Sequence, residues 1–452
     1  MRIKLHLPLS LSEIARATHS HSSPEDKVIT HISTDTRELM CGDLFIALRG
    51  ERFDGEDYVE PALQIGAYTL AQAVGATVRV ESVAEALVHL IRHYIKKLPS
   101  LKYTVGITGS VGKTTTKELL RALVEEKYRT HATDGNLNNL YGVLFTTLCA
   151  PKDTEVLIFE LGMNHTGEIR NLSAAISPDV AIITNIGTAH IGNLGSKEKI
   201  AEAKLEICAT NTKICIIPYG EPLLKSAPHP FTYSSDSPNA DAYFISLRSG
   251  KSGTVFDLYS RGSAWLGKHL PLVGTAAFNC FCAALSAALY MGLGERELDS
   301  RLPILNEAPL RQKFINVGKY TIYDDTYSAS YEATVGALDM LRLYNKPTHA
   351  VLFDMLELGE DSARLHRLAG RRCAECGISH LFTVGSYADE YAIGARSGGM
   401  KSENIHINKD TNDLSATLEA IKAHVADGIL LVKGSHATQA ERIIEMIRKE
   451  TT

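Results

Sequence analysis

The sequence is short of several things that would place it elsewhere. It has one tryptophan and eight cysteines in 452 residues, and no apolar run approaches the ~20 residues of a membrane-crossing helix. No Lys/Arg block or basic helix stands out, and the net charge of -5 leaves no electrostatic footprint for nucleic acid. Short internal repeats and low-complexity stretches are also missing, which excludes solenoids and tethered tails. In Met1 to Leu11 the apolar positions are broken by His6, Pro8 and Ser10, so there is no h-region of a signal peptide. A cytoplasmic protein with reduced thiols is expected. Cys373 and Cys376 form the only CxxC, in a helical pattern, and a structural role outweighs a redox or zinc site. Cys280 and Cys282 fall in an apolar, Ala-rich run that reads as a buried helix.

What is present begins with Thr108-Gly109-Ser110-Val111-Gly112-Lys113-Thr114-Thr115-Thr116, between a strand-like run, Tyr103 to Ile107, and a helical pattern through Leu119, Leu120 and Leu123. This is the pattern of a phosphate-binding P-loop. Glycines at 109 and 112 let the backbone approach phosphate oxygens, with Ser110 between them. Amides of the first helical turn point at those oxygens, Lys113 adds a positive charge, and a hydroxyl after it can hold Mg2+. The spacing is GxxGKT, shorter than the common Walker loop, which points to one subset of ATP-using enzymes. The alternative is a strand-turn-helix with a solvent-facing lysine.

The rest of the chain reads as three α/β domains: 1–81, small and without a phosphate loop; 82–310, a central P-loop-type, mostly parallel sheet; and 311–452, a second strand-helix alternation of Rossmann-like type. In the first, Ser33 to Arg37 followed by Gly42 to Gly50 suggests a recognition surface, although Asp35 and Arg37 could equally be a plain surface ion pair. In the second, the buried-strand pattern Glu155 to Phe159 ends in Glu160, and Val180 to Ile183 leads into Thr184, Asn185 and His190. Ligands of parallel sheets bind at the carboxyl ends of strands, so these loops share one edge with the P-loop. Ile200, Ala203, Lys204 and Ile207 fall at i, i+3, i+4 and i+7, which puts a lysine on an apolar stripe: a snorkelling stem, or a lysine facing the active site. Residues 219–270 read as sheet elements covering the central domain, and Ala276 to Met291 as a helix.

Taken together these motifs resemble the Mur ligase family, nearly end to end. Thr108 to Thr116 is similar to its nucleotide loop and Gly135-Asn136-Leu137-Asn138-Asn139 to its substrate segment. Glu160 to Ile169 resembles its EMGxNxxGEI motif, and Asn185 to His190 and Ala203 to Ile207 follow suit. Asp35 to Gly50 with Asp54-Gly55, and Asp354 to Glu360, look like the branch that joins D-alanyl-D-alanine to a UDP-muramoyl tripeptide. The resemblance implies ATP-dependent amide formation through an acyl phosphate in peptidoglycan precursor synthesis, with ATP and Mg2+ as cofactors, small-molecule substrates and a monomeric enzyme. Lys113 and the loop amides would hold the β- and γ-phosphates. Thr114 or Thr115 with Glu160 would hold one Mg2+; His190 and a carbamylated Lys204 would serve a second. Asp35, Arg37, Asn138, Asn139, Thr188 and Tyr327 would meet substrates, and Asn279, Arg311 and Asp325 the nucleotide.

This chain departs from the family pattern on the nucleotide side and in its last domain. Val111 replaces a usual asparagine, and GxHN becomes Gly274-Thr275-Ala276-Ala277, with Asn279 the nearest amide. DDSYNANP becomes Asp324-Asp325-Thr326-Tyr327-Ser328-Ala329-Ser330-Tyr331, Phe353 replaces a glycine, and His436 replaces an arginine. The other readings are a related ligase with a different acid or amine, a non-catalytic paralogue that binds a UDP-sugar peptide or a partner protein, and a P-loop kinase or ATPase. The last leaves Asp35 to Gly50 unexplained.

Overall fold

The computed structural model describes residues 2–50, 53–208, 211–307 and 313–451. They build three sheets in chain order. The first has five strands, Arg2–Ser10, Val28–Ser33, Leu44–Ile46, Tyr68–Ala71 and Val78–Arg79, with only the first pair antiparallel. Ser10 ends the first strand and starts the helix Leu11–Ala17 through a capping box with Glu13.

The second sheet has nine strands. Thr130–Ala132, Val156–Glu160, Tyr103–Thr108, Val180–Ile183, Ile214–Pro218 and Pro230–Ser234 run parallel. Val156–Glu160 and Val180–Ile183 are buried at every position, as their unbroken apolar runs require when helices cover both faces. Ala242–Gly250 continues this sheet in parallel, and Gly253–Ser260 and Ser263–Leu270 follow it through antiparallel pairings. The expectation that residues 219–270 cover the central domain is corrected: they extend its sheet sideways, and Trp265 sits on the outermost strand. The helix Thr275–Tyr290 packs on the helix that follows the P-loop, Lys113–Val124.

The third sheet is ordered Lys313–Val317, Tyr320–Asp325, Ile429–Lys433, Thr348–Phe353, His380–Val384, Ile405–Asn408, parallel after its first pair. The last strand in sequence is inserted between two earlier ones. That makes a switch point at which Asp325 and Lys433 end neighbouring strands. Cys208 and Cys215 are joined as a disulfide, against the expectation of thiols throughout. Helix and strand bring the two together in the core beside Ile207 and Ile217, a proximity that a sequence separation of seven does not reveal. Cys373 is free and buried, and Cys376 free and half-buried.

Candidate functional site

The P-loop turns where glycine alone fits. Gly109 has φ 151°, and a Cβ there would come within 1.9 Å of Thr184 Oγ1. Gly112 has φ 86° as the N-cap of Lys113–Val124, and a Cβ there would meet Cys280 Sγ at 2.6 Å. The loop is held from the next strand end. Val111 N–H donates to Asn185 Oδ1 at 3.0 Å, Thr184 Oγ1 donates to Val111 O at 2.6 Å, and Gly187 N–H donates to Ser110 Oγ at 2.8 Å. The Val111 side chain, which cannot hydrogen-bond, lines the cleft.

Glu160 stands at the neighbouring strand end, 1% exposed. One carboxylate oxygen accepts from Thr114 Oγ1 at 2.7 Å and the other from Asn138 Nδ2 at 2.9 Å. A hydroxyl and a carboxylate so placed are the hard oxygen donors that Mg2+ takes, and it is Thr114, not Thr115, that points at Glu160. Lys113 Nζ donates to Gly109 O at 2.8 Å and curls over the loop. Asn139 is used locally, since its Oδ1 accepts from Gly142 N–H at 2.9 Å and caps the helix Leu140–Leu148.

Lys204 is 1% exposed, on the helix Lys197–Leu205, and among the described residues no carboxylate or hydrogen-bond acceptor meets its amine. Burial, reinforced by the charge of Lys113, holds it well below its ordinary 10.5. Glu206 accepts from the amides of Gly167 at 3.2 Å and Arg170 at 3.0 Å, tying the Lys204 segment to the N-terminus of the helix Glu168–Ile176. His190 lies in the same field. Burial pushes its imidazole below the ordinary 6.5, a nearby Glu357 opposes that shift, and Lys113 and Lys204 add to it. Lys113, His190 and Lys204 thus converge as three cationic or potentially cationic groups on one sheet edge.

The third sheet closes over this edge. Asp325, Tyr327, Ser328, Ser330 and Lys433 face Ser110 to Thr115, Ala276, Ala277 and Cys280 across a cleft of about 740 Å3. Lys433, 1% exposed, pairs with Asp325 at 3.1 Å and donates to Ser328 O. Asn279 is exposed on its helix and does not line the cleft, so Ala276, Ala277 and Cys280 form that wall. Arg311 lies outside the described residues.

Two acidic residues went unassigned in the sequence. Glu332 accepts from both the amide and the hydroxyl of Thr188, each at 2.9 Å, and stands 3.7 Å from Lys197. Glu357 accepts from His190 Nδ1. Its own carbonyl takes the Gly192 amide at 2.9 Å. Glu357 lies inside the quoted stretch Asp354 to Glu360, whereas Asp354 is turned to a structural task, accepting from Ser386 and Tyr387 amides at 2.8 and 3.0 Å. Lys117 is the other residue missed: fully buried, it donates to Thr133 and Gly135 carbonyls and pairs with Glu118 at 2.9 Å. No local pattern marked it, because Thr114, Thr116 and Glu118 of the same helix are buried as well.

In the first sheet, Asp35 and Arg37 do form an ion pair, with Nη2 to Oδ2 at 2.6 Å, and that contact holds the Asp35 carboxyl well below its ordinary range. The pair also lines a cleft of about 850 Å3 with Phe45, Phe53 and Tyr58.

Three sheets, a P-loop at the edge of the middle one and a last sheet folded over it define a multidomain P-loop α/β protein. A family model described as the Mur ligase middle domain matches residues 107–288. UDP-N-acetylmuramoyl-tripeptide--D-alanyl-D-alanine ligase of Bacillus subtilis is 33% identical over 96% of this chain and 97% of its own. Among solved structures, MurF from Acinetobacter baumannii superposes with TM-score 0.88 at 27% identity, covering 99% of this chain and all of that one. MurF ligase from Thermotoga maritima, in complex with ADP, gives TM-score 0.80 at 28% identity over 93% of this chain and 97% of that one. The chain belongs to the Mur ligase family.

Proposed function

We propose that this chain is an ATP-dependent ligase that joins D-alanyl-D-alanine to UDP-N-acetylmuramoyl tripeptide in peptidoglycan precursor synthesis. The observation that carries the reading is the convergence of Thr114, Glu160, Lys113, His190 and Lys204 on one sheet edge beneath the last domain, in a chain similar along its whole length to ligases of that name.

The substrate carboxylate attacks the γ-phosphate of ATP, and the amine of the dipeptide then displaces phosphate from the acyl phosphate and leaves an amide. Both steps build negative charge on phosphoryl and carboxyl oxygens, so catalysis rests on cations and N–H donors already in place. The P-loop amides and Lys113 hold the β- and γ-phosphates at a helix N-terminus. Thr114 and Glu160 would hold one Mg2+ and His190 with Lys204 a second, and the ions would supply positive charge against the phosphates. Lys204 can serve only as an anion. A buried amine of lowered basicity adds to carbon dioxide with loss of a proton, giving a carbamate whose oxygens can ligate. Asp325 and Tyr327 close the nucleotide cleft, Asn138 and Thr188 face the acid substrate, and Asp35 with Arg37 receives its UDP-sugar end. Closure shields the acyl phosphate from water. The same reading takes the enzyme to act as a monomer in the cytoplasm; no described helix is long and apolar enough to cross a membrane.

A second amine is favoured by one observation: the altered segment at Ser328 and Ser330 lines the cleft itself. Phosphate release from ATP, Mg2+ and UDP-muramoyl tripeptide, measured with a panel of amines, decides between them. Dependence on D-alanyl-D-alanine supports the first reading, and dependence on another amine the second. No release with any combination leaves only a binding role.

A further inference from the structure

We propose that His380, His406 and His424 form a binding site for a borderline divalent transition-metal ion of the Zn2+ type, on the last domain and separate from the phosphate site. The backbone sets it up. His349 is the cross-strand partner of His380, and Phe382 that of His406. Because side chains alternate along a strand, His349, His380, Phe382 and His406 all stand on one face of the third sheet. His424 joins them from the last turn of the helix Ser415–His424, which packs on those strands.

The donor atoms of the three histidines lie within 4.8 Å of one another. His380 Nδ1 and His406 Nε2 are 3.3 Å apart. Zn–N bonds of roughly 2.0–2.1 Å in a tetrahedron put neighbouring nitrogens about 3.3–3.4 Å apart, so two of the three ligands already hold that spacing. His424 is exposed, its ring 4.5 Å from that of His406 and 4.9 Å from that of His380, and a side-chain rotation brings its nitrogen in. Behind them His349 stacks on His380 at 5.6 Å, and its buried Nδ1 has no hydrogen-bond partner. Three imidazoles suit Zn2+, Ni2+ or Cu2+ and not Mg2+, which asks for oxygen. The ion would tie two strands and a helix together.

The test uses the whole protein, stripped with chelator and titrated with Zn2+ by competition against a chromophoric chelator in excess Mg2+. Binding of a single ion is expected, and Co2+ should give the intense visible bands of a tetrahedral site. His424→Ala, on an exposed ring, and His406→Gln should each weaken Zn2+ by at least about tenfold, and the rise in melting temperature with Zn2+ should be lost in both, while ATP-dependent phosphate release stays unchanged. No Zn2+ bound, an aquo-like Co2+ spectrum, or equal affinity in parent and both variants would overturn the proposal.

Discussion

His190 and Glu357, 167 residues apart in sequence, meet side chain to side chain where the second and third sheets touch. Both have left-handed backbones, φ 63° and 61°, a conformation that non-glycine residues adopt only where the surroundings hold it. Beside them Gly192 and Gly359 pass so closely that a Cβ on Gly192 would lie 2.6 Å from the Gly359 nitrogen.

Glu357→Ala should loosen this contact in the absence of nucleotide, and Gly192→Ala should wedge it open. Small-angle scattering is expected to give a larger radius of gyration for either variant than for the parent, with the gap narrowing when nucleotide is added. Unchanged scattering in both would mean that the pair does not hold the two domains together.

Lys204→Ala should lower turnover by roughly a hundredfold to a thousandfold, the scale on which a preorganised charge at a reacting centre acts. Short carboxylates that can occupy the same space should restore part of it. Near-normal turnover in the variant sinks the carbamate assignment.

Lys117→Met leaves Glu118 buried without its ammonium, and Arg121 at 3.8 Å only softens that loss. Urea unfolding should show a loss of about 3–5 kcal/mol, whereas Lys117→Met with Glu118→Leu removes both charges and should recover much of it. A double variant as unstable as the single one would place the cost in the lost Thr133 and Gly135 contacts instead.

The histidine face predicts acid sensitivity. The folded pKa of His406, about 4, lies below the ordinary 6.5. On acidification the unfolded chain takes up this proton first, so the contribution is intact above 6.5 and is lost as pH falls toward 4. Part of the ring is open to solvent, which screens the effect. Metal-free melting temperatures recorded across that window should fall, and less steeply for His406→Gln.

The P-loop, Glu160 and Lys204 were legible because each is a local conflict: glycines before a helix, a carboxylate ending an apolar strand, a lysine on an apolar stripe. Glu332 and Glu357 were not, since what they touch depends on how one sheet docks on another, and no short-range pattern encodes docking. Cys208 and Cys215 failed for the same reason on a smaller scale. Asn139 could have been read better: an asparagine directly before a helix is a cap before it is a ligand. Asn279 is the nearest amide in sequence, but helical phase turns it outward and presents Ala276, Ala277 and Cys280 to the cleft.

The insertion of the last strand between earlier ones has a consequence for synthesis. Lys433 reaches Ser328, 105 residues upstream, only once nearly the whole chain exists. A chain stopped before Ile429 has every glycine of its phosphate loop but lacks the strand that seats the closing wall. The fold thereby withholds an enclosed cleft from unfinished copies, at the cost of the slow, long-range pairing that such an ordering imposes on folding.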